Sequence, residues 1–303
     1  MTTSRPYAGD ADRDRMRDLI VAATADTSRP HNWYVGDLIW GLYQNTIFDP
    51  FQHVQLWEDA DGALLGFAWF SPPVVLEWEV DPRLVTGQAL AEEMLAWGEA
   101  HRRALLEPGD QERLFLTSAR EDNPEKSALL ERHSFTRDDF HMLQLRRDLD
   151  ESIPDQLPPE GFVVRHVEDA EEEWAERVEL HREVWNPSKV TLEAYRRLRS
   201  APDYTPELDI VAVGPDGQFA SYCIVWHDPA NHMGEFEPVG TRAAFRGQGA
   251  GKAVMLEGLR RLKARDAHTA AVFVNYDNPA AIRLYESVGF RVLTKHWYYS
   301  KHL

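Results

Sequence analysis

The sequence predicts a mixed α/β fold that is built from two tandem copies of one domain. Three observations lead to this prediction. A glycine-rich loop, Arg246 to Lys252, opens a stretch with the apolar periodicity of a helix. Each half of the chain contains a pair of apolar segments typical of a β-hairpin. An Asn-Pro pair precedes a phenylalanine by twelve residues in both halves, starting at Asn123 and at Asn278.

The hairpin candidates are Gln55 to Phe70 in the first half and Ile210 to Trp226 in the second. In the second, Gly214-Pro215-Asp216-Gly217 separates the two apolar runs and has the composition of a turn. Glu131 and Glu286 also stand at the same distance from their Asn-Pro pairs. Because several features recur in one order, we interpret them as an internal repeat.

The glycine-rich loop has the composition of a phosphate-binding site. Three glycines alternate along Arg246-Gly247-Gln248-Gly249-Ala250-Gly251-Lys252. Without a Cβ the backbone can turn sharply and direct several N–H groups at one anion. The residues that follow place an apolar face opposite a charged face, and the positive end of this helix's dipole would add to the attraction. We therefore predict a phosphate loop between a strand and a helix.

Two common phosphate loops do not fit. A Walker A loop needs glycine at the position of Arg246 and serine or threonine at Ala253. A dinucleotide fingerprint needs glycine where Lys252 stands. A glycine-rich turn without a ligand is the remaining alternative for the loop taken alone.

Motifs on both sides of the loop occur in a recognisable order. They are Gly234-Glu235-Phe236-Glu237-Pro238-Val239-Gly240-Thr241 upstream, then Ala271-Val272-Phe273-Val274, Asn278-Pro279-Ala280-Ala281, Tyr285 and Val288-Gly289-Phe290 downstream. This order resembles the GNAT acyltransferase superfamily over about Gly234 to Tyr299, and within it the layout is most similar to the mycothiol synthases. The resemblance implies two tandem GNAT-like domains, each with a mixed, mostly antiparallel sheet, flanking helices and a V-shaped splay between two parallel strands.

The resemblance also implies a cosubstrate, acetyl-CoA or another acyl-CoA, lying in that V. Its pyrophosphate would bind the loop amides, and its pantetheine and acyl carbonyl would bond to the backbone of the preceding strand. Further contacts would come from beyond the next strand. The residues implied are, in order, Arg246, Gly247, Gln248, Gly249, Ala250, Gly251 and Lys252, then Val239, Gly240 and Thr241, then Asn278 and Ala281.

Acyl transfer to an amine requires a base for the ammonium proton, a donor for the oxyanion and an acid for the leaving thiolate. Glu235 and Glu237 share one face of the predicted strand, and either could accept the proton directly or through water. The similarity to mycothiol synthase implies Glu235 as the base, and the family implies Tyr285 as the acid. For either glutamate the alternative is a solvated surface residue, and for Tyr285 it is packing.

Chain length and composition predict two domains: 1–147, a degenerate GNAT-like domain, and 162–303, the GNAT acetyltransferase domain. A polar, proline-rich linker, 148–161, would join them. The first copy lacks the phosphate loop, with Ala89 for Gly249 and Glu92 for Lys252, and Leu130 stands in the place of Tyr285. We therefore expect one active site, in the C-terminal half.

The formal net charge of −17 argues against nonspecific nucleic-acid binding, which depends on basic surface. The absence of a long apolar run and of an apolar segment behind the first residues predicts no membrane association and a cytoplasmic protein. Cys223 is the only cysteine and lies in an apolar strand, which favours direct transfer over a covalent acyl carrier. His227 and His232 lack ligand-type spacing, so we predict no metal. We expect a monomer or homodimer.

The acceptor is a small-molecule amine by this interpretation. Two segments are considered for its site: an aromatic-rich segment early in the chain, and one between the two opening helices of the C-terminal half, which with their loop wall the acceptor site in GNAT folds. They are Trp33, Tyr34, Trp40, Tyr43 and Phe48 with His31 and Asp37, and Trp185-Asn186-Pro187-Ser188-Lys189. Core packing is the alternative for most of them. An amino sugar, an amino acid, a polyamine and an antibiotic all stay open, as do a CoA-binding sensor without turnover and a structural pseudo-enzyme.

Overall fold

The computed structural model describes residues 2–26, 31–84, 87–107 and 114–303. The elements of the first half are β1 Thr3–Pro6, α1 Asp10–Ala25, α2 Val35–Tyr43, α3 Pro50–His53, β2 Val54–Glu58, β3 Leu64–Ser71, β4 Val75–Val80, α4 Gly87–Ala104, β5 Leu114–Arg120, α5 Pro124–Arg132 and β6 Thr136–Asp148.

The elements of the second half are β7 Val163–His166, α6 Glu171–Val184, α7 Leu192–Arg199, β8 Asp209–Val213, β9 Phe219–Asp228, β10 Met233–Thr241, α8 Ala250–Lys263, β11 Thr269–Asn275, α9 Pro279–Ser287 and β12 Arg291–His302. Short 3₁₀ turns precede β8, at Pro206–Leu208, and α8, at Ala243–Phe245. The predicted mixed α/β fold is confirmed. No helix among the described residues is long and apolar enough to cross a membrane.

The chain forms two compact units, but their division differs from the predicted domain boundaries. Unit 1 comprises Met1–Tyr34, Phe48–Met142 and Thr294–Leu303, and unit 2 comprises Val35–Ile47 and Leu143–Leu293. The N-terminal helix α2 therefore belongs to unit 2, where it packs against α7, β9 and β10. The end of β12 belongs to unit 1 because it pairs with β5, from His296 opposite Arg120 to His302 opposite Leu114.

Unit 1 contains an antiparallel series of strands in the order β1, β2, β3 and β4. Strand β4 meets β5 in parallel at one point, Val75 opposite Leu116, and β5 pairs with β12. The buried face of this sheet packs against α4 and α5 through large apolar side chains, among them Phe70, Leu95 and Phe115. Burial of this apolar surface is the main stabilising contribution to the unit.

Unit 2 has the same kind of sheet. Strands β7, β8, β9 and β10 are antiparallel neighbours, and β10 pairs with β11 in parallel. The apolar face of α8, with Val254, Leu256 and Leu259, is buried on this sheet. The predicted turn between β8 and β9 is present, with Gly217 in the left-handed region at φ 82°.

Both Asn-Pro pairs start a helix in the same way, which supports the internal repeat. The side chain of Asn123 accepts a hydrogen bond from Lys126 N at 3.0 Å, and that of Asn278 accepts one from Ala281 N at 3.1 Å. In each case the following proline occupies the first turn, where its missing N–H has no cost. The recurring dipeptide is therefore a helix N-cap signal in both copies.

The predicted linker is packed on unit 2. No helix or strand lies in residues 149–162, all of which the structure describes. Lys263 Nζ donates to the carbonyl of Leu149 at 2.6 Å, and Arg260 donates to those of Pro154 and Gln156. Basic side chains of α8 thus satisfy carbonyl groups that regular structure leaves unpaired.

Candidate active site

The central feature of unit 2 is a gap between β10 and β11. These strands pair in parallel from Met233 opposite Thr269 to Phe236 opposite Val272, and then pairing stops although both strands continue. On its other side β10 stays paired with β9 but shifts register between Phe236 and Val239. The extra residue in this bulge bends β10 away from β11. The V-shaped splay implied by the resemblance is therefore present.

Backbone groups of β10 face this gap. Arg242 N donates to the carbonyl of Ala220 on β9 at 2.9 Å. Because hydrogen-bonding direction alternates along a strand, Val239 and Thr241 direct their N–H and C=O groups to the opposite, open side. The carbonyl of Thr241 accepts a hydrogen bond from Arg246 Nε at 3.2 Å. The backbone of Val239 is thus the part of the strand best placed to bond to a ligand in the gap.

Gly240 lies between Val239 and Thr241, and the space at this position is too small for a side chain. A Cβ at this position would lie 2.6 Å from Cε1 of Tyr222 and 2.9 Å from Cγ1 of Val184. The hydroxyl of Tyr222 accepts a hydrogen bond from Trp185 Nε1 at 2.8 Å and bonds to His181 Nδ1 at 2.6 Å. Burial and the charge of Arg177 lower the pKa of His181 to about 3, so the ring is neutral and its Nδ1 can accept a hydrogen bond from the tyrosine hydroxyl.

The glycine-rich loop follows β10 and leads directly into α8. Gly247 and Gly249 have φ of 77° and 88°, in the left-handed region that favours glycine, and Gly249 is the residue before the helix. The first N–H groups of a helix have no acceptor within it, so those of α8 are left for a partner outside the helix. A Cβ at Gly251 would lie 2.9 Å from Thr241 Oγ1, which explains the third glycine by close packing.

The two cations of the loop differ in exposure: Arg246 is exposed and Lys252 is half-buried. Gln248 Nε2 donates to the carbonyl of Ala244 at 2.9 Å and so braces the turn. An anion at the start of α8 would meet backbone N–H groups, the positive end of a helix dipole and these cations. The arrangement fits a pyrophosphate.

Glu235 is buried beneath helix α2, with only 2 % of its surface exposed. Neither of its carboxyl oxygens has a hydrogen-bond partner of acceptable geometry among the described residues. Gly36 of α2 lies so close to this carboxyl group that a Cβ there would overlap it. A buried polar group without a partner is uncommon in a folded protein, and such groups concentrate at functional sites.

Three acids are grouped at this point: Glu235, Glu237 and Asp37. Burial raises the pKa of Glu235 well above the ordinary glutamate value, and the negative charges of Asp37 and Glu237 raise it further. The pKa of Glu237 is raised to about 8 by removal from water and by the charge of Asp37. Glu237 nevertheless keeps partial solvent exposure, whereas Glu235 does not. The cluster therefore favours a bound cation and holds protons near neutral pH.

Sequence reasoning grouped Asp37 with the aromatic-rich segment early in the chain but gave it no chemical role. The local sequence indicates only an acid in the first turn of a helix, a common arrangement. Its effect on two glutamates almost two hundred residues later depends on the packing of α2 in unit 2. No local pattern could have revealed it.

Tyr285 is 6 % exposed and packs in the core of unit 2 beside Phe290, with ring centroids 6.2 Å apart. Its hydroxyl makes no hydrogen bond to the part of the chain that the structure describes. Burial raises its pKa, and the charge of Glu237 raises it further, so the phenol stays protonated at neutral pH. This is the protonation state that a general acid needs.

The aromatic residues considered for the acceptor site lie in different environments. Trp33 packs on Phe67 and Trp69 in unit 1, and Phe48 stacks on Trp69 with centroids 4.4 Å apart. These are core contacts. In unit 2, Trp40 lies beside His181 at 5.3 Å, and Trp185 is 49 % exposed. Trp40 lies on α2, the same helix that carries Asp37.

Comparisons with known proteins agree with this geometry. The model of the acetyltransferase (GNAT) family matches residues 169–290. The mycothiol acetyltransferase of Geodermatophilus obscurus is 30% identical over 246 residues, which are 76% of this chain and 76% of that protein. The chain belongs to the GNAT acetyltransferase family.

Other relatives match over shorter segments. The mycothiol acetyltransferase of Thermomonospora curvata is 32% identical over 155 residues, which cover 49% of this chain and about half, 51%, of that protein's length. Among solved structures, a GCN5-related N-acetyltransferase from Sphaerobacter thermophilus superposes with a TM-score of 0.67 at 22% identity, covering 99% of this chain and 95% of that chain. A tandem GNAT protein from the clavulanic acid biosynthesis pathway gives 0.68 at 14% identity, covering 100% and 98%. These structures support the tandem fold.

The first GNAT-like unit differs from the second at the corresponding strands. Its strand β4 also carries two alternating glutamates, Glu77 and Glu79, but Lys126 inserts beside them, with Nζ 3.5 Å from Glu77 Oε2 and 3.9 Å above the ring of Trp78. The repeat spacing of 155 residues places Ala281 at the position of Lys126. A buried lysine therefore lies beside the acids of unit 1, whereas an alanine occupies the corresponding position in unit 2.

A cavity of about 610 Å³ adjoins this lysine in unit 1. Its lining includes Gln88, Asn123 and Lys126, together with Glu79, whose pKa burial raises to about 7. The cavity occupies the part of unit 1 that corresponds by sequence repeat to the glycine-rich loop and the Asn-Pro cap of unit 2. This part of unit 1 lacks the alternate glycines of the loop. Leu130, which is fully buried, stands in the place of Tyr285.

Proposed function

We propose that the protein transfers an acetyl group from acetyl-CoA directly to a primary amine of a small molecule, and that unit 2 carries the active site. The grouping of an open strand gap, a glycine loop at a helix N-terminus and a cluster of acids in one unit supports this proposal. Cys223 is fully buried, burial raises its pKa, and it contacts the carbonyl of Val254, so a covalent acyl-cysteine is unsuitable.

Acetyl-CoA would supply the activated acetyl group and a thiolate leaving group. We assign its pyrophosphate to the residues from Arg246 to Lys252, because the loop offers N–H groups and positive charge to an anion. Val239 would donate its N–H to the acyl carbonyl, where negative charge develops. Asn278 uses its side-chain oxygen to cap α9, so a cofactor contact there would come from its amide nitrogen or from the neighbouring Ala281.

The amine would approach the acids as an ammonium ion. Its positive charge lowers the pKa of nearby carboxyl groups, so binding itself would help Glu235 and Glu237 to ionise. Glu235 then accepts the proton, directly or through one water, because it is the more deeply buried glutamate and its oxygens have no hydrogen-bond partner of acceptable geometry among the described residues. It would pass the proton to Glu237, which solvent reaches and which would release it to bulk water. Tyr285 donates its phenolic proton to the thiolate.

The acceptor is a small-molecule amine, and three acids around its site suit a cation better than a neutral or anionic compound. Relatives named mycothiol acetyltransferases make the amine acceptor of those enzymes the first compound to test. Purified protein should release thiol from acetyl-CoA only when a suitable amine is present, as measured with a thiol reagent across a panel of amines. Acetyl-CoA binding without thiol release for any amine would indicate a sensor instead.

The base assignment gives the next prediction. We expect Glu235→Gln to lower kcat/KM at pH 7 by roughly 10²-fold, the lower end of the range for a general base. The deficit should shrink as pH rises, because free amine becomes abundant. Glu237→Gln, the matched control, should lose less. A Glu235→Gln profile that overlays the wild type while Glu237→Gln is inactive would reverse the two roles.

The charge of Asp37 gives a prediction about pH dependence. Asp37 raises the pKa of both glutamates, so the acidic limb of kcat/KM should lie well above the ordinary glutamate range. Removing that charge in Asp37→Asn lowers both pKa values, and the acidic limb should move to lower pH. Asp169→Asn, an exposed acid of the same unit, should leave the profile in place. An unchanged limb in Asp37→Asn would show that Asp37 does not tune the base.

A further inference from the structure

A second group of titratable side chains lies outside the cleft, on the surface of unit 2. His232 is in the turn between β9 and β10, and Asp266 and His268 are in the connection between α8 and β11. Each offers one ligand atom, and these atoms lie within 4.8 Å of one another. All three side chains are exposed. Two imidazoles and one carboxylate are a typical ligand set for a transition metal.

The backbone holds these residues together. The N–H groups of His268 and Thr269 both donate to the carbonyl of His232, at 2.6 and 3.3 Å. The next residues, Met233 and Thr269, open the parallel pairing of β10 with β11. The separation of the two histidines is therefore set by a strand register and not by a long free loop.

The side chains are arranged around the carboxylate. Asp266 Oδ2 is 3.2 Å from His232 Nδ1, and Asp266 Oδ1 is 3.7 Å from His268 Nε2. The two imidazole rings are nearly parallel, with centroids 4.7 Å apart and 10° between their planes. The adjacent cation, Arg265, points to Glu207, with 3.7 Å between the charged groups, so it is paired elsewhere.

We propose that His232, Asp266 and His268 bind one first-row divalent transition metal ion, with Zn²⁺ as the representative case. Zn²⁺ accepts neutral imidazole nitrogens and carboxylate oxygens at about 2.0–2.2 Å, so the exposed rings need only small rotations to converge on it. Three protein ligands leave at least one position for water. Ca²⁺ and Mg²⁺ prefer all-oxygen ligand sets and fit less well.

The proposed metal site is separate from acetyl transfer. His232 precedes the first residue of β10, and the backbone groups assigned to the cofactor lie near the other end of that strand, about 20 Å or more along it at ~3.3 Å per residue. A bound ion would join the β9–β10 turn to the α8–β11 connection. Since it binds the folded form, it should raise the melting temperature with metal concentration.

This set could not be recognised from local sequence spacing, because His232 and His268 are 36 residues apart. Their positions become adjacent only through the parallel pairing. Both His232 and Asp266 have positive φ, 48° and 65°, a conformation that asparagine and aspartate adopt more readily than most residues. Asparagine is therefore the substitution of choice at these two positions, because it replaces the imidazole or carboxylate by a neutral and weaker amide ligand without adding backbone strain.

The test uses full-length protein without a histidine tag, treated with chelator and titrated with ZnCl₂ by calorimetry. We expect one Zn²⁺ per chain and a higher melting temperature. Asp266→Asn, His232→Asn and His268→Ala should each weaken binding by about 10-fold or more, since even outer-sphere changes at metal sites have effects of this size. His166→Ala, an exposed histidine of the same unit, should bind like the wild type.

Co²⁺ provides a second measurement, because its visible absorption reports nitrogen and oxygen coordination in variants that remain folded. The His268→Ala variant should lose this absorption, and His166→Ala should keep it. No saturable binding at one ion per chain, or equal affinity in wild type and His268→Ala, would overturn the proposal.

Discussion

A Gly249→Glu variant is expected to bind acetyl-CoA about 10²-fold more weakly, or not measurably. In the folded protein this residue has φ of 88° and is the last one before α8. A glutamate there would place a carboxylate where a pyrophosphate should meet the first amides of the helix. Loss of two hydrogen bonds to a charged group, at about 1.5–3 kcal/mol each, already corresponds to this factor. Calorimetric titration with acetyl-CoA measures it.

Two effects must be separated in that experiment, strain and charge. Any side chain at Gly249 is strained by the positive φ, and its Cβ would lie 3.0 Å from Cγ of Pro159. Gly249→Ala reproduces the strain without the charge and should bind more tightly than Gly249→Glu. Gly217→Glu is the control for both effects: it adds the same charge at a residue with φ of 82°, but in the β8–β9 turn. It should leave acetyl-CoA affinity unchanged.

The same titration tests whether only one unit binds acetyl-CoA. One site per chain is expected, because unit 1 has lost the alternate glycines and has a buried lysine beside its glutamates. Undiminished affinity in a folded Gly249→Glu variant would contradict the assignment of the loop. Two equivalent sites in the wild type would contradict the proposal that unit 1 is degenerate.

Features that depend on a few neighbouring residues could be predicted from the sequence. Gly247 and Gly249 of the loop have positive φ, which favours glycine. Gly217 in the turn between β8 and β9 has positive φ for the same reason. Asn123 and Asn278 cap helices as such residues do in many proteins. Each of these local signals depends on backbone geometry within one turn, and their order carried the resemblance from which the tandem GNAT fold was predicted.

Features that depend on contacts between residues far apart in the chain could not be predicted from the sequence. Helix α2 joins unit 2 and the end of β12 joins unit 1, and both assignments are decided by packing between segments far apart in sequence. The period of two along β10 predicts that Glu235 and Glu237 share a face. It cannot show that α2 buries one and leaves the other half-exposed, or that a bulge follows directly.

The general acid and the general base of the proposed reaction can be distinguished by how the activity loss of their variants depends on pH. We expect Tyr285→Phe to lower kcat by about 10²-fold, the usual scale for loss of a general acid, with little change in acetyl-CoA affinity. The ring stays in place beside Phe290, and the hydroxyl has no hydrogen bond to a described residue, so the variant should fold normally. Steady-state kinetics with a saturating amine measures the loss.

Burial and the charge of Glu237 keep the pKa of Tyr285 above its ordinary value, so the phenol remains a proton donor throughout the neutral range. The Tyr285→Phe deficit should therefore be constant from about pH 6 to 9, since the tyrosine does not ionise there. This differs from Glu235→Gln, whose deficit shrinks as the amine loses its proton. A Tyr285→Phe variant with full turnover would leave the residue a packing role only. A deficit that disappears at high pH would place Tyr285 on the amine side of the reaction.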